Sequence, residues 1–196
     1  MVRIIYEIDN TVEIHGGTAI WRCFGGRRFS KDIDVYLESQ EKLEELKARI
    51  GITAEKYGAK LSKFKDTGNL IFAELLLDDI HSEIDINYKS YYKNPVIKNY
   101  ETLDGTIYEV LIPPPEALLA EKIEAYNDRK SITDLYDIRI LADFVRVDEV
   151  SKQLKTFLLN IKNPGKEEED RLKNLIYEGP LPTFKTLVEY IKSKIS

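Results

Sequence analysis

Two aspartates separated by one residue, Asp32 and Asp34, open the alternating run Asp32-Ile33-Asp34-Val35-Tyr36-Leu37. Alternation of polar and apolar residues predicts a β-strand, on which positions i and i+2 share a face. Asp32 and Asp34 then project together while Ile33 and Val35 turn to the core. Two ionised carboxylates side by side repel, and a divalent cation relieves that repulsion. Mg²⁺ uses one or two carboxylates and takes its other ligands from phosphates and water. The plain alternative is a strand with one solvated face, but aspartate is disfavoured in strands.

Two further features fit that chemistry. Gly16-Gly17 stands between a short apolar strand, Val12–His15, and a helical stretch, Thr18–Phe24. Glycines at such a junction let a phosphate approach backbone N–H groups at a helix N-terminus. A Gly-Gly pair alone is more often an ordinary turn. Here Gly17 lies 15 positions before Asp32, enough for a helix and a return to the neighbouring strand. A second strand, His81–Tyr88, carries His81, Glu83, Asp85 and Asn87 on one face and Ile84 and Ile86 on the other. Asp85 is the natural third carboxylate, to hold a metal or accept a proton from an attacking hydroxyl. Glu83, with the same parity, is its competitor.

The elements that must position these groups fall into two parts. Before Pro113-Pro114-Pro115, strand-like and helix-like segments alternate; after it almost everything reads as helix. The first part, residues 1–112, has helical stretches at Gln40–Ile50 and Thr53–Gly58. It has strands at Leu70–Leu77 and His81–Tyr88 joined through Asp78-Asp79, and a hairpin of Val96–Tyr100 and Thr106–Ile112 around Asp104-Gly105. The second part, residues 113–196, has helices over Glu116–Asp128, Asp134–Val145 with Thr133 as N-cap, Glu149–Leu159, Glu167–Tyr177 and Thr183–Lys194. The acidic run Glu167–Asp170 reads as a solvated helix start.

Composition narrows the class. With 196 residues, 43% apolar and 32% charged, the chain is an ordered protein with a sizeable core. A net charge of −5 excludes a general nucleic-acid coat. Arg22, Arg27, Arg28 and Lys31 nevertheless gather positive charge beside the acidic site, as an approach path for a polyanionic acceptor. A single cysteine, Cys23, excludes an internal disulfide and a Cys-rich zinc site, and reads as a small buried hydrophobe. No stretch is long and apolar enough to span a bilayer, so a cytoplasmic protein without membrane contact is expected. One methionine and two glutamines, Gln40 and Gln153, with abundant Lys, Glu, Ile and Tyr, suggest a thermophilic source.

Gly-Gly, a spacer, Asp-Ile-Asp and a later apolar–Asp–apolar strand together resemble the nucleotidyltransferase superfamily related to DNA polymerase β. Three blocks resemble more closely its AbiEii/AbiGii toxin group: His15-Gly16-Gly17-Thr18-Ala19-Ile20; Arg28-Phe29-Ser30-Lys31-Asp32-Ile33-Asp34; and Glu121-Lys122-Ile123-Glu124-Ala125 with Arg129 and Asp134-Leu135-Tyr136-Asp137. The resemblance spans roughly Ile14–Leu141. It implies an α+β fold, a mixed sheet with flanking helices, and a C-terminal helical lobe that closes over the nucleotide. It implies that Asp32 and Asp34 hold Mg²⁺ or Mn²⁺ and that Gly16-Gly17 seats a triphosphate. Arg28 and Ser30 would support the phosphate or the aspartate strand, and Lys122 would reach the phosphates. Asp134 would be catalytic or position the acceptor, with Asp137 beside it. The superfamily often has Gly-Ser where this chain has Gly16-Gly17, and Thr18 would then supply the missing hydroxyl.

The expected activity is metal-dependent transfer of NMP from an NTP to an acceptor hydroxyl, on a tRNA end or a protein, with pyrophosphate released. The resemblance implies the toxin half of a toxin–antitoxin pair, with a cognate antitoxin as partner. Two rival readings are a catalytically silent module of the same fold that binds a protein, and a metal-dependent phosphohydrolase. The first has no need to gather repelling carboxylates, and the second lacks a His-rich ligand set, since His15 and His81 are the only histidines.

Overall fold

A computed structural model describes residues 1–37, 42–87 and 94–195. Among them the chain forms one mixed seven-stranded sheet in the order β3-β4-β5-β2-β1-β7-β6. The elements run α1 (Val2–Ile8), β1 (Glu13–His15), α2 (Gly16–Cys23), β2 (Ile33–Tyr36), α3 (Leu43–Lys56), β3 (Lys60–Asp66), β4 (Ile71–Leu77), β5 (Ile80–Asn87), β6 (Val96–Glu101) and β7 (Ile107–Ile112). Five helices then follow the prolines: α4 (Pro115–Arg129), α5 (Ile132–Leu141), α6 (Val147–Asn160), α7 (Lys166–Leu175) and α8 (Phe184–Lys194). This is the α+β architecture expected.

The short central strands β1 and β2 decide which side chains face which way. Ile33, Val35 and Leu37 pack with Ile84 and Ile86 of the parallel neighbour β5 under Ile5 and Ile8 of α1 and Leu46 and Ile50 of α3. Asp34 and Tyr36 therefore point to the other face, which α4 covers: the Tyr36 hydroxyl donates to Glu121 Oε1 at 2.8 Å. One hydrophobic cluster runs from α1 through the sheet to α8. Aliphatic burial of this kind is worth about 1.5–3 kcal/mol per large side chain.

Several boundaries differ from expectation. Helix α2 starts at Gly16 rather than Thr18, so both glycines lie in its first turn. The two helical stretches around Gly51 are one helix, and the expected beginning at Gln40 lies outside the described residues, as does Tyr88. Helix α5 begins earlier than Thr133 and ends at Leu141. Its N-terminus is satisfied from another helix: Glu168 Oε2 accepts from Ile132 N at 3.0 Å and from Ser131 Oγ at 2.9 Å. The acidic run is thus partly a cap and not only a solvated face. Glu168→Ala should cost about 1–2 kcal/mol, as loss of a helix cap does, and urea titration of the variant against wild type measures it.

Candidate active site

A cavity of about 390 Å³ opens where β1, β2 and β5 end beneath α4 and α5. His15, Gly16, Gly17, Asp32, Asp34 and Asp85 line its sheet side, and Lys122 and Arg129 its helical side. A larger groove of about 640 Å³, between α1 and the ends of β4–β6, is lined mostly by apolar side chains and holds no carboxylate pair.

Strand register brings the carboxylates together. Asp34 of β2 pairs directly with Asp85 of the parallel β5 and with His15 of the antiparallel β1. All three side chains share one face. Asp32 stands just before β2, and its backbone carbonyl accepts the Thr18 hydroxyl at 2.5 Å. Burial, and then Glu83, push the Asp32 carboxyl up to about 6. Burial, with Asp34 and Glu83, also raises Asp85. Charge is thus crowded on this wall, with too few donors to neutralise it. Glu83 itself is ion-paired with Lys31 and held below the usual carboxylate value by it, so of the two competitors Asp85 is the one that lines the cavity.

Gly16 is favoured by backbone as well as by contact, and Gly17 by contact alone. Gly16 has φ +67°, and a Cβ there would lie 2.0 Å from Asp34 Oδ2. A Cβ on Gly17 would lie 2.5 Å from Arg28 Nη2 and 2.7 Å from Ser30 Oγ. Gly16→Ala is expected to lose about 1–3 kcal/mol of stability, the usual cost of a strained non-glycine backbone. It should also displace Asp34, so nucleotide binding and melting temperature should fall together.

The helical wall is an ion network around two buried aspartates. Asp134 and Asp137 of α5 are 0% and 1% exposed. Arg28 donates to Asp137 through Nε at 2.7 Å and Nη2 at 2.6 Å. Lys122 Nζ lies 2.9 Å from Asp137 Oδ2 and 3.4 Å from Asp134 Oδ1. Arg129 grips Asp134 through Nε and Nη2, both at 2.7 Å. Burial alone would push the Lys122 ammonium down, but Asp137 and Asp134 outweigh it and hold it above the ordinary lysine value. Burial likewise would raise Asp137, and Lys122 and Arg28 instead keep it below the usual carboxylate range.

Of the residues singled out from sequence, Gly16, Gly17, Arg28, Ser30, Asp32, Asp34, Asp85 and Lys122 line the cavity. Thr18 and Asp134 do not: Thr18 braces the Asp32 backbone, and Asp134 sits behind Arg129 and Lys122. The arginine-rich approach path is dispersed. Arg28 enters the cavity wall, Lys31 pairs with Glu83, Arg27 reaches Glu178 at 3.7 Å, and Arg22 lies 3.5 Å over the Trp21 ring. Cys23 is half-buried, and burial pushes its thiol up to about 12.

Sequence reasoning gave no role to His15, Glu121 or Arg171, which also line the cavity. His15 stacks on Tyr36 with ring centroids 3.8 Å apart, and its Nδ1 lies 3.5 Å from Glu121 Oε2. The parity of β1 relative to Asp34 was the available signal for His15; nothing local marks Arg171.

The carboxylate wall fits a divalent cation. Asp32 Oδ1 is buried without a hydrogen-bond partner, an oxygen whose lone pairs are unused. Among the described residues, no group of three or more His, Cys, Asp or Glu side chains is placed to hold a metal ion as it stands. Such a carboxylate set suits a hard ion that takes its other ligands from phosphate and water.

A family model described as nucleotidyl transferase AbiEii toxin, type IV toxin–antitoxin system, matches residues 8–189. No curated protein sequence matches the chain. Among solved structures, JHP933 from Helicobacter pylori is similar at 20% identity and a TM-score of 0.60, over 99% of this chain and 85% of its own. A second Helicobacter pylori structure, of a provisionally assigned nucleotidyltransferase, has 20% identity and a TM-score of 0.59 over 99% of this chain and 88% of its own. At such identity the likeness speaks for the fold alone. The antibiotic-resistance factor ANT(2'')-Ia aligns at 17% identity and a TM-score of 0.47, over 80% of this chain and 90% of its own, too distant to carry an argument.

Proposed function

The chain belongs to the AbiEii family of nucleotidyl transferase toxins of type IV toxin–antitoxin systems, and from that membership we propose that this cavity transfers NMP from an NTP to an acceptor hydroxyl. The observation that carries the reading is the facing of Asp34 and Asp85, paired in register, with the Gly16-Gly17 bend and the Lys122 network in one cavity.

In this reading the acceptor oxygen attacks the α-phosphorus, the bond from that phosphorus to the bridging oxygen breaks, and pyrophosphate leaves. Asp32, Asp34 and Asp85 would hold Mg²⁺ or Mn²⁺. Bound there, the ion would acidify the attacking hydroxyl and neutralise phosphate charge. Asp85 would complete that ligand set or instead take the hydroxyl proton. Open backbone N–H groups at Gly16 and Gly17 seat the phosphates at the start of α2. Lys122 and Arg28 present positive charge to the departing pyrophosphate. Asp134 serves by holding Arg129 and Lys122 in place. The acceptor is a tRNA end or a protein hydroxyl, and a cognate antitoxin restrains the toxin. No helix among the described residues is long and apolar enough to cross a membrane.

The test is incubation with Mg²⁺, each labelled NTP and either total tRNA or protein extract, followed by intact-mass analysis of the labelled species. Mass gain of one NMP on an acceptor with stoichiometric pyrophosphate is the expected result. Inorganic phosphate release without an acceptor would instead indicate hydrolysis.

A further inference from the structure

Among the described residues the cavity wall presents four cations, and three are already committed. Arg28 spends Nε and Nη2 on Asp137 and Nη1 on the Phe29 carbonyl. Lys122 bridges Asp134 and Asp137. Arg129 is closed on Asp134 by two bonds. Their charge reaches a ligand, but few of their donors do.

Arg171 of α7 is different. Its Nη1 donates to Glu168 Oε1 at 3.2 Å, the one partner of its guanidinium among the described residues. Glu168 is itself fixed, because its other oxygen accepts from Ser131 Oγ and Ile132 N. One nitrogen of the Arg171 guanidinium is thus tied to a fixed carboxylate, while the side chain is 63% exposed and still lines the cavity. A guanidinium carries five N–H donors in a rigid fork that matches two oxygens of a phosphate. Among the described residues no carboxylate other than Glu168 bonds to that fork.

We infer that Arg171 is a phosphate-binding residue of this site, closing its fork on a phosphoryl group that extends from the Gly16-Gly17 bend toward the helices. The inference rests on the transferase reading above. The phosphoryl group has two sources, the β- and γ-phosphates of the NTP or a backbone phosphate of the acceptor, and the two arms of the test separate them.

Wild type, Arg171→Ala and Arg171→Lys are titrated calorimetrically with the Mg²⁺ complex of an α,β-methylene NTP, which cannot transfer, and with the NMP. The KM for the labelled acceptor is measured in parallel. Arg171→Ala should weaken the triphosphate analogue on the order of tenfold and leave the NMP unchanged, with Arg171→Lys in between because it keeps charge and loses the fork. A tenfold rise in acceptor KM with unchanged nucleotide affinity would assign the same residue to an acceptor phosphate. Analogue affinity and acceptor KM both within twofold of wild type, with melting temperatures equal, would overturn the role of Arg171 alone. A wild type that binds neither nucleotide would overturn the transferase reading and this inference together.

Discussion

Asp34→Asn should abolish NMP transfer, by roughly 10³-fold or more, without weakening the fold. The two halves of that expectation have separate causes. Asp34 stands in the middle of the carboxylate wall, register partner of Asp85 on one side and of His15 on the other. On the proposed reading, removing its charge would take away a ligand for the activating ion and leave the acceptor hydroxyl at its ordinary, poorly nucleophilic protonation state. It also removes repulsion that raises Asp85, so the variant should melt at or above the wild-type temperature. Label transfer and a thermal melt on the same preparation check both. An Asp34→Asn protein that transfers label at the wild-type rate would remove the proposed site altogether.

Asp137→Asn should have the largest effect on stability. Asp137 is buried, carries both Arg28 and Lys122, and loses its charge in the variant while theirs remain. Breaking a buried pair by deleting one partner typically costs about 3–5 kcal/mol, because the orphaned charges stay out of water. The pH dependence should change too. The Asp137 carboxyl is held below its ordinary value, so the unfolded chain binds its proton first as pH falls. Its stabilisation is complete at neutral pH and drains away as pH drops below the usual carboxylate range toward the depressed folded value. Wild type should therefore lose stability between about pH 4 and more acid conditions, and Asp137→Asn should show a shallower acid slope from a lower starting point. Chemical denaturation at a series of pH values measures both quantities.

The carboxylate wall was legible because its signal is local. Asp32 and Asp34 share a strand face by parity, and Asp85 shares its own strand's polar face in the same way. The two strands carry alternating isoleucine and valine that leave no doubt about which face is core. The helical wall was not legible from local pattern. Lys122, Asp134 and Asp137 stood out through resemblance alone, and their pairing depends on Arg28, which lies 109 positions from Asp137 in sequence. Helix α1 escaped notice because it is only seven residues long. Strand β3 did so because its lysines protect an exposed sheet edge and bury little. Arg171 sits in a helix whose charges read as solvent-facing, and only tertiary packing shows that one of them borders the cavity.

The Arg28–Asp137 pair is also a rivet between the two halves of the chain. Around it, Phe29 N donates to the Leu175 carbonyl, Tyr177 N to the Arg27 carbonyl, and the Tyr136 hydroxyl accepts from Arg27 N. Swinging the helices off the sheet would break these bonds and separate the Arg28–Asp137 pair. The lobe closure that the resemblance implies would have to break these bonds, so on the proposed reading a substrate enters through the existing mouth of the cavity.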